Sequence, residues 1–290
     1  MPTDPLQLTL AVLECALIFA GAGLLLWLLF NPAQRSRWLR LYTLPTLPLS
    51  MLEFGLAAVV IKLTEFAFGI VAQITFSQSP VTTQNHTAIL VIVINLATYA
   101  GALLAWRVLF PHVLRMWQVG PEPAPARPTR QTLSWSEATG YGIGTVLVAL
   151  PLIILIGLGW SALLQAMGRQ VEPQDMIMIL AKTRSPLVIA GLMLVACLLA
   201  PLYEELLFRA GLYRYVRQKL GRTPALLISG ICFGVMHRDL TAFLPLVVLG
   251  MLFALVYEAT GSIRVTIIAH GLFNLNSIIF VLAGFSAANP

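Results

Sequence analysis

Residues 186–209 read PLVIAGLMLVACLLAPLYEELLFR, an uncharged stretch from Pro186 to Tyr203 that runs straight into Glu204, Glu205 and Arg209. A transmembrane helix needs about 20 predominantly apolar residues to cross a hydrocarbon core about 30 Å thick, and this stretch supplies them. Ionisable groups at that depth are expensive. They face a polar cavity or a partner, and so mark a working site. Two later fragments, Phe233-Gly234-Val235-Met236-His237 and His270-Gly271-Leu272-Phe273-Asn274, each set a histidine into apolar sequence.

The rest of the chain agrees with a membrane reading. Of its 290 residues 58% are hydrophobic and only 10% charged, with a mean hydropathy of +0.85. Soluble domains carry about 25% charged residues. The apolar runs are long and continuous, which suits helices and excludes the alternating strands of about ten residues found in outer-membrane barrels. The expected fold is all-α and polytopic, with about eight spans at 6–30, 49–76, 88–110, 141–160, 186–203, 225–237, 243–257 and 263–283. The sixth and seventh are short, so they are expected to be broken or packed against protein.

The net charge of +6 comes from basic residues in membrane-flanking loops, an orientation signal and not a nucleic-acid surface. Arg35, Arg37 and Arg40, then Arg115, Arg127 and Arg130, then Arg209, Arg214, Arg217, Lys219 and Arg222 mark cytoplasmic segments. Both termini are then expected outside a bacterial plasma membrane. Residues 1–5 lack the positive n-region of a signal peptide, so the first helix is expected to remain. A proline-rich linker, 121–140, separates a three-helix N-terminal region, 1–120, from a C-terminal domain, 141–290, that holds every motif. The stretch 211–221, GLYRYVRQKLG, reads as an amphipathic continuation of the fifth helix resting against lipid headgroups. Cys15, Cys197 and Cys232 read as small core residues. Lys62 and Glu65 read as a structural pair, and Glu14 and Glu53 as groups near helix ends.

Helical spacing separates the two carboxylates. Glu205 and Arg209 lie four apart on one face, in the favourable acid-first order. Glu204 is rotated about 100° away, has no local partner and is the candidate general base. Phe233 lies one turn before His237 and is placed to shape the pocket beside it. His270 and Asn274 share a face and offer a donor pair for an oxyanion. Glu204 lies about 25 Å before the Gly221-Arg222-Thr223-Pro224 turn and His237 about 20 Å after it, so the two can meet at one depth.

EExxxR, FxxxH and HxxxN on successive apolar helices resemble the CAAX prenyl protease 2 family, also called CPBP intramembrane proteases or the Abi family. The resemblance covers roughly residues 186–283 and includes Glu204, Glu205, Arg209, Phe233, His237, His270 and Asn274. It implies a multi-helix endopeptidase in which a glutamate activates water, assisted by the two histidines and the asparagine. Its substrate would be a peptide or protein, lipidated in the eukaryotic members. The resemblance favours a metal-free mechanism with no cofactor. Two histidines and a glutamate are also a zinc-type donor set, although HExxH is absent. Two further readings stay open, a non-catalytic immunity or scaffold protein and a proton-coupled transporter. No internal repeat supports the transporter.

Overall fold

A computed structural model describes residues 5–38, 50–77, 83–116, 133–169 and 185–283, with Leu44, Leu47, Ile179, Leu180 and Thr183 between them. The expected linker at 121–140 and the loop arginines Arg40, Arg127 and Arg130 fall wholly or largely outside these residues. The helices are α1 (Pro5–Phe30), α2 (Pro32–Trp38), α3 (Met51–Ser77), α4 (Thr83–Met116), α5 (Trp135–Ala166), α6 (Pro186–Leu220), α7 (Arg222–Met236), α8 (Phe243–Thr260) and α9 (Ile263–Leu282). No strand occurs among the described residues. Seven of these helices are long and apolar enough to cross a membrane, and α7 is a shorter apolar helix beside them. The chain is thus an all-α polytopic membrane protein.

The apolar runs fix the helices, and local chemistry fixes their ends. A capping box formed by Ser134 and Glu137 starts α5 six residues before its apolar run begins. Glu53 does the same for α3 with Ser50. Gly221 (φ 88°) and Gly261 (φ 62°) provide the left-handed turns on either side of the α7–α8 hairpin. Asp239 accepts from the backbone N–H groups of Thr241 and Ala242, which starts α8. Trp160 on α5 ties the same turn down by donating to the Leu240 carbonyl at 2.8 Å.

Helices in lipid gain little from apolar burial against one another, so small residues that allow close approach decide where they pack. In α7, Gly230 and Gly234 face α8, where added Cβ atoms would meet the Val247 and Phe243 carbonyl oxygens at 2.8 and 3.0 Å. Gly250 of α8 returns the contact against Phe233 and Gly230. This close fit accounts for the two short spans: half of α8 is buried in protein. At the N-terminal side, Gly21 of α1 lies against the Leu147 carbonyl of α5.

Helix α6 is not uniform. Two π-helical turns, Val195–Leu199 and Leu206–Tyr213, interrupt it on either side of Glu204. Each offers a carbonyl to a neighbour. Asn274 of α9 donates to the Ala196 oxygen at 2.8 Å, and Ser229 of α7 to the Phe208 oxygen at 3.3 Å. Such bulges recur at functional sites because they turn a helix face toward new neighbours.

Several expectations are corrected here. Glu14 lies in the interior of α1, more than two turns from its start at Pro5 and not near its end, and its carboxylate accepts from Asn276 of α9 at 3.0 Å. Cys15 and Cys232 are exposed on the bundle surface, and only Cys197 is half-buried. A small apolar residue suits lipid as well as core. The stretch 211–221 is half-buried and does not rest freely on headgroups. Tyr213, Tyr215 and Val216 are buried, and the Tyr215 ring stacks on Phe54 at 4.1 Å. Arg217 is committed to Glu258, a residue the sequence reading passed over.

Glu258 is 1% exposed near the end of α8. It accepts from Arg217 Nε at 2.8 Å, Arg222 Nε at 2.9 Å and the Tyr213 hydroxyl at 2.8 Å. One carboxylate therefore joins α6, α7 and α8 at their basic ends. Removing it strands two arginines, while removing one arginine leaves the carboxylate paired. Glu258→Ala is expected to cost about 3 kcal/mol of stability and Arg217→Ala distinctly less, read as melting temperatures in detergent.

Candidate active site

The site is built where α6, α7 and α9 meet. Glu205 and Arg209 are both 0% exposed, and Arg209 Nε lies 3.1 Å from Glu205 Oε2. The two charges are paired at that distance without a hydrogen bond between these two atoms. Arg209 Nη2 donates to the Gly250 carbonyl at 3.1 Å. The guanidinium also lies over the ring of Phe233 at 4.6 Å and of Phe253 at 5.3 Å. A cation without water is thus held by a carboxylate, a backbone carbonyl and aromatic faces.

The other oxygen of Glu205 reaches across to α9, 3.0 Å from His270 Nδ1. A carboxylate paired with Arg209 can only accept, so Nδ1 carries the hydrogen and Nε2 is left facing Glu204. His237 is set the same way. Its Nδ1 lies 2.8 Å from the Phe233 carbonyl, an obligate acceptor, so Nδ1 carries a hydrogen and, in the neutral imidazole, Nε2 is the nitrogen with the lone pair. Both Nε2 atoms lie 3.9 Å from Glu204 Oε2. That oxygen is buried with no hydrogen-bond partner, while the His237 side chain is 26% exposed and opens the cluster outward.

Most of the expected constellation comes together. Glu204 and His237 meet at one depth, and Glu205 turns to Arg209. Phe233 is fully buried with its ring 4.8 Å from His237, 5.7 Å from His270 and 5.3 Å from Phe208. The pairing of His270 with Asn274 differs from expectation. They share a face of α9, but His270 Nδ1 is taken by Glu205 and one N–H of Asn274 by the Ala196 carbonyl. The π turn of α6 makes that carbonyl available, and helical spacing within α9 gives no sign of it. Gly271 belongs to the same contact, since a Cβ there would collide with the Cys197 carbonyl oxygen. The motif His270-Gly271-x-x-Asn274 is therefore also a dock for α9 on the bulge.

Arg238 follows His237 in the left-handed region (φ 54°), which is uncommon outside glycine, and its side chain is exposed. Donors for a metal are present but spread. Adjacent tetrahedral zinc donors with bonds of about 2.0 Å lie about 3.3 Å apart, against the 3.9 Å seen from Glu204 to each histidine. Among the described residues no group of three or more side chains has metal-holding geometry.

Removing either member of the Glu205–Arg209 pair strands a charge in the core, at a cost of roughly 3–5 kcal/mol. Glu205→Gln and Arg209→Ala should therefore lower the detergent melting temperature markedly, and Glu204→Gln should leave it close to wild type.

Comparison with known proteins places the likeness on the same segment. Residues 186–276 match the family described as type II CAAX prenyl endopeptidase Rce1-like. A Bacillus subtilis (strain 168) protein described as "Putative membrane peptidase YdiL" is 33% identical over 91 residues, 31% of this chain and 37% of that relative. The chain therefore spans little more than a third of the relative's length. No solved structure matches. The matched segment contains Glu204, Glu205, Arg209, Phe233, His237, His270 and Asn274, so the likeness and the candidate site fall on the same residues.

Proposed function

We propose that this protein is an intramembrane endopeptidase of the CAAX-protease type, in which Glu204 activates water. The observation that carries the reading is the convergence of Glu204 Oε2 with the free Nε2 atoms of both histidines, each at 3.9 Å. A water there donates one proton to Glu204 and the other to a histidine nitrogen, which leaves an oxygen lone pair for the peptide carbonyl. Glu204 takes the first proton as the C–O bond forms and passes it to the departing amine nitrogen as the C–N bond breaks. The products are a carboxylic acid and an amine. The second N–H of Asn274, whose first is held by Ala196, is the donor we assign to the oxyanion. Phe233, Glu205 and Arg209 touch no reacting atom in this scheme; they position the histidines.

The substrate class is a peptide or protein that enters from, or is tethered to, the membrane. The mechanism needs no metal. A second reading comes from the donor set itself, because a carboxylate and two imidazole lone pairs are a zinc-type combination. Glu204→Gln should abolish cleavage of a peptide library by the purified protein, and 1,10-phenanthroline should leave wild-type cleavage unchanged. Equal turnover in Glu204→Gln and wild type would sink the glutamate assignment. Loss of activity on chelation, restored by zinc, would replace the metal-free scheme with the zinc reading.

We assign the basic end of the bundle, where Arg217, Lys219, Arg222 and Arg264 gather, to the cytoplasm. Both termini are then assigned to the outside. Glu204 sits about 27 Å from the start of α6 and about 24 Å from its end, well inside the membrane. In a cysteine-free background, a single cysteine at Met167 should react with an impermeant maleimide in intact cells, and one at Lys219 should not. The reverse pattern overturns the orientation.

A further inference from the structure

Lys62 lies outside the family-matched segment, on α3, 11 residues from the start of that helix and 15 from its end. At 1.5 Å per residue that is about 16 and 22 Å of helix, so the ammonium is held at depth in the bundle. Its side chain is nonetheless 47% exposed. A lysine at such a position is costly and marks a route or a ligand. It is not fully used by the chain. An ammonium has three N–H donors. One goes to Glu65 Oε2 at 2.7 Å and one to the Tyr203 hydroxyl oxygen at 3.3 Å. The third faces only the Met236 sulfur at 3.4 Å, a weak acceptor.

Tyr203 adds to this. It is 5% exposed, and its hydroxyl oxygen accepts from Lys62, a contact that does not use its own O–H. The two residues that Lys62 touches across from α3 are the chain neighbours of the proposed machinery, Tyr203 of Glu204 and Met236 of His237. Next to Tyr203 runs a small apolar cleft lined by Ile61, Ala102, Leu103, Leu206 and Leu207. An N–H and an O–H, close together and next to a site that takes peptides, are a receptor for a carboxylate.

We propose that Lys62 and Tyr203 form a carboxylate-binding subsite beside Glu204 and His237, and that the ligand group is a carboxylate of the peptide substrate. Glu65 stays paired with Lys62 when the subsite fills and keeps the ammonium in place. The α3–α4 hairpin then determines specificity for chemistry housed in the family segment. This inference rests on the peptide reading of the site, and it concerns which peptides are held, not how they are cut.

The test uses the full chain in nanodiscs, both as wild type and as Glu204→Gln, so that bound peptide is not consumed. The probes are degenerate N-dansyl hexapeptide pools of uncharged residues. One pool ends in a free carboxylate and one in a carboxamide, and a third is amidated but carries one Asp or Glu side chain. The expected result is retention of a carboxylate-bearing pool about tenfold above the uncharged amide pool, as a charge-assisted hydrogen bond provides. Whichever carboxylate pool is favoured identifies the source, C-terminal or side-chain. The preference should vanish in Lys62→Gln/Glu65→Gln, which removes both charges together and so avoids stranding one. It should survive in Lys62→Arg and fall part-way in Tyr203→Phe. Equal retention of all pools, retention of none, or a preference that persists in the double variant overturns the proposal. Glu204-dependent cleavage without carboxylate preference would remove only this inference. Carboxylate preference without any cleavage would remove only the peptidase reading.

Discussion

Glu205 and Arg209 have both given up water entirely, and the arrangement of the site follows from how that cost is met. An isolated charge in such a place is prohibitive, and a pair is tolerable only when the remaining donors and acceptors find partners. Arg209 finds the Gly250 carbonyl on α8 and the faces of Phe233 and Phe253. Glu205 finds His270 on α9. Because that contact fixes which nitrogen of His270 bears hydrogen, a structural ion pair also decides what the imidazole shows to Glu204. Stability and chemistry share one network. Hydrogen bonding is left incomplete within the ion pair, at Glu205 Oε2 and at Arg209 Nε and Nη1, and at the oxygen of Glu204 that lies beside the Nε2 atoms of both histidines.

Close packing of α7 and α8 is the second condition. Glycines at 230, 234 and 250 let the helices approach near enough for Phe233 to lie between Arg209 and both imidazoles. The π turns of α6 are the third. They place Glu204 and Glu205 between two irregular turns whose carbonyls are held by Asn274 and Ser229. These contacts join α6 to α7 and α9, the three helices that carry the site.

Much of this was legible in the sequence, because it depends on spacing along single helices. The division of labour between Glu204 and Glu205 follows from the position of Arg209 four residues on, and the meeting of Glu204 with His237 from their comparable distances to the 221–224 turn. What depends on contacts between distant segments was not legible. Nothing in HGLFN tells that Asn274 reaches a carbonyl 78 residues away, or that His270 is oriented by Glu205. Glu258 is a lone acid with no partner on its own helix, and Tyr213, Arg217 and Arg222, which hold it, come from α6 and α7. Lys62 and Glu65 were read as a pair from their spacing, which is correct at 2.7 Å. Their closeness to Tyr203 and Met236 belongs to the fold alone.

The central claim is that Glu205 fixes the tautomer of His270 so that Nε2 faces Glu204. The chain has only four histidines, so ring ¹⁵N spectra of protein labelled at histidine in nanodiscs can be assigned by single substitutions. The account predicts that His270 carries hydrogen at Nδ1, and that this signature is lost in Glu205→Gln or displaced strongly from its wild-type position. A wild-type spectrum with hydrogen on Nε2 and a bare Nδ1 would contradict it.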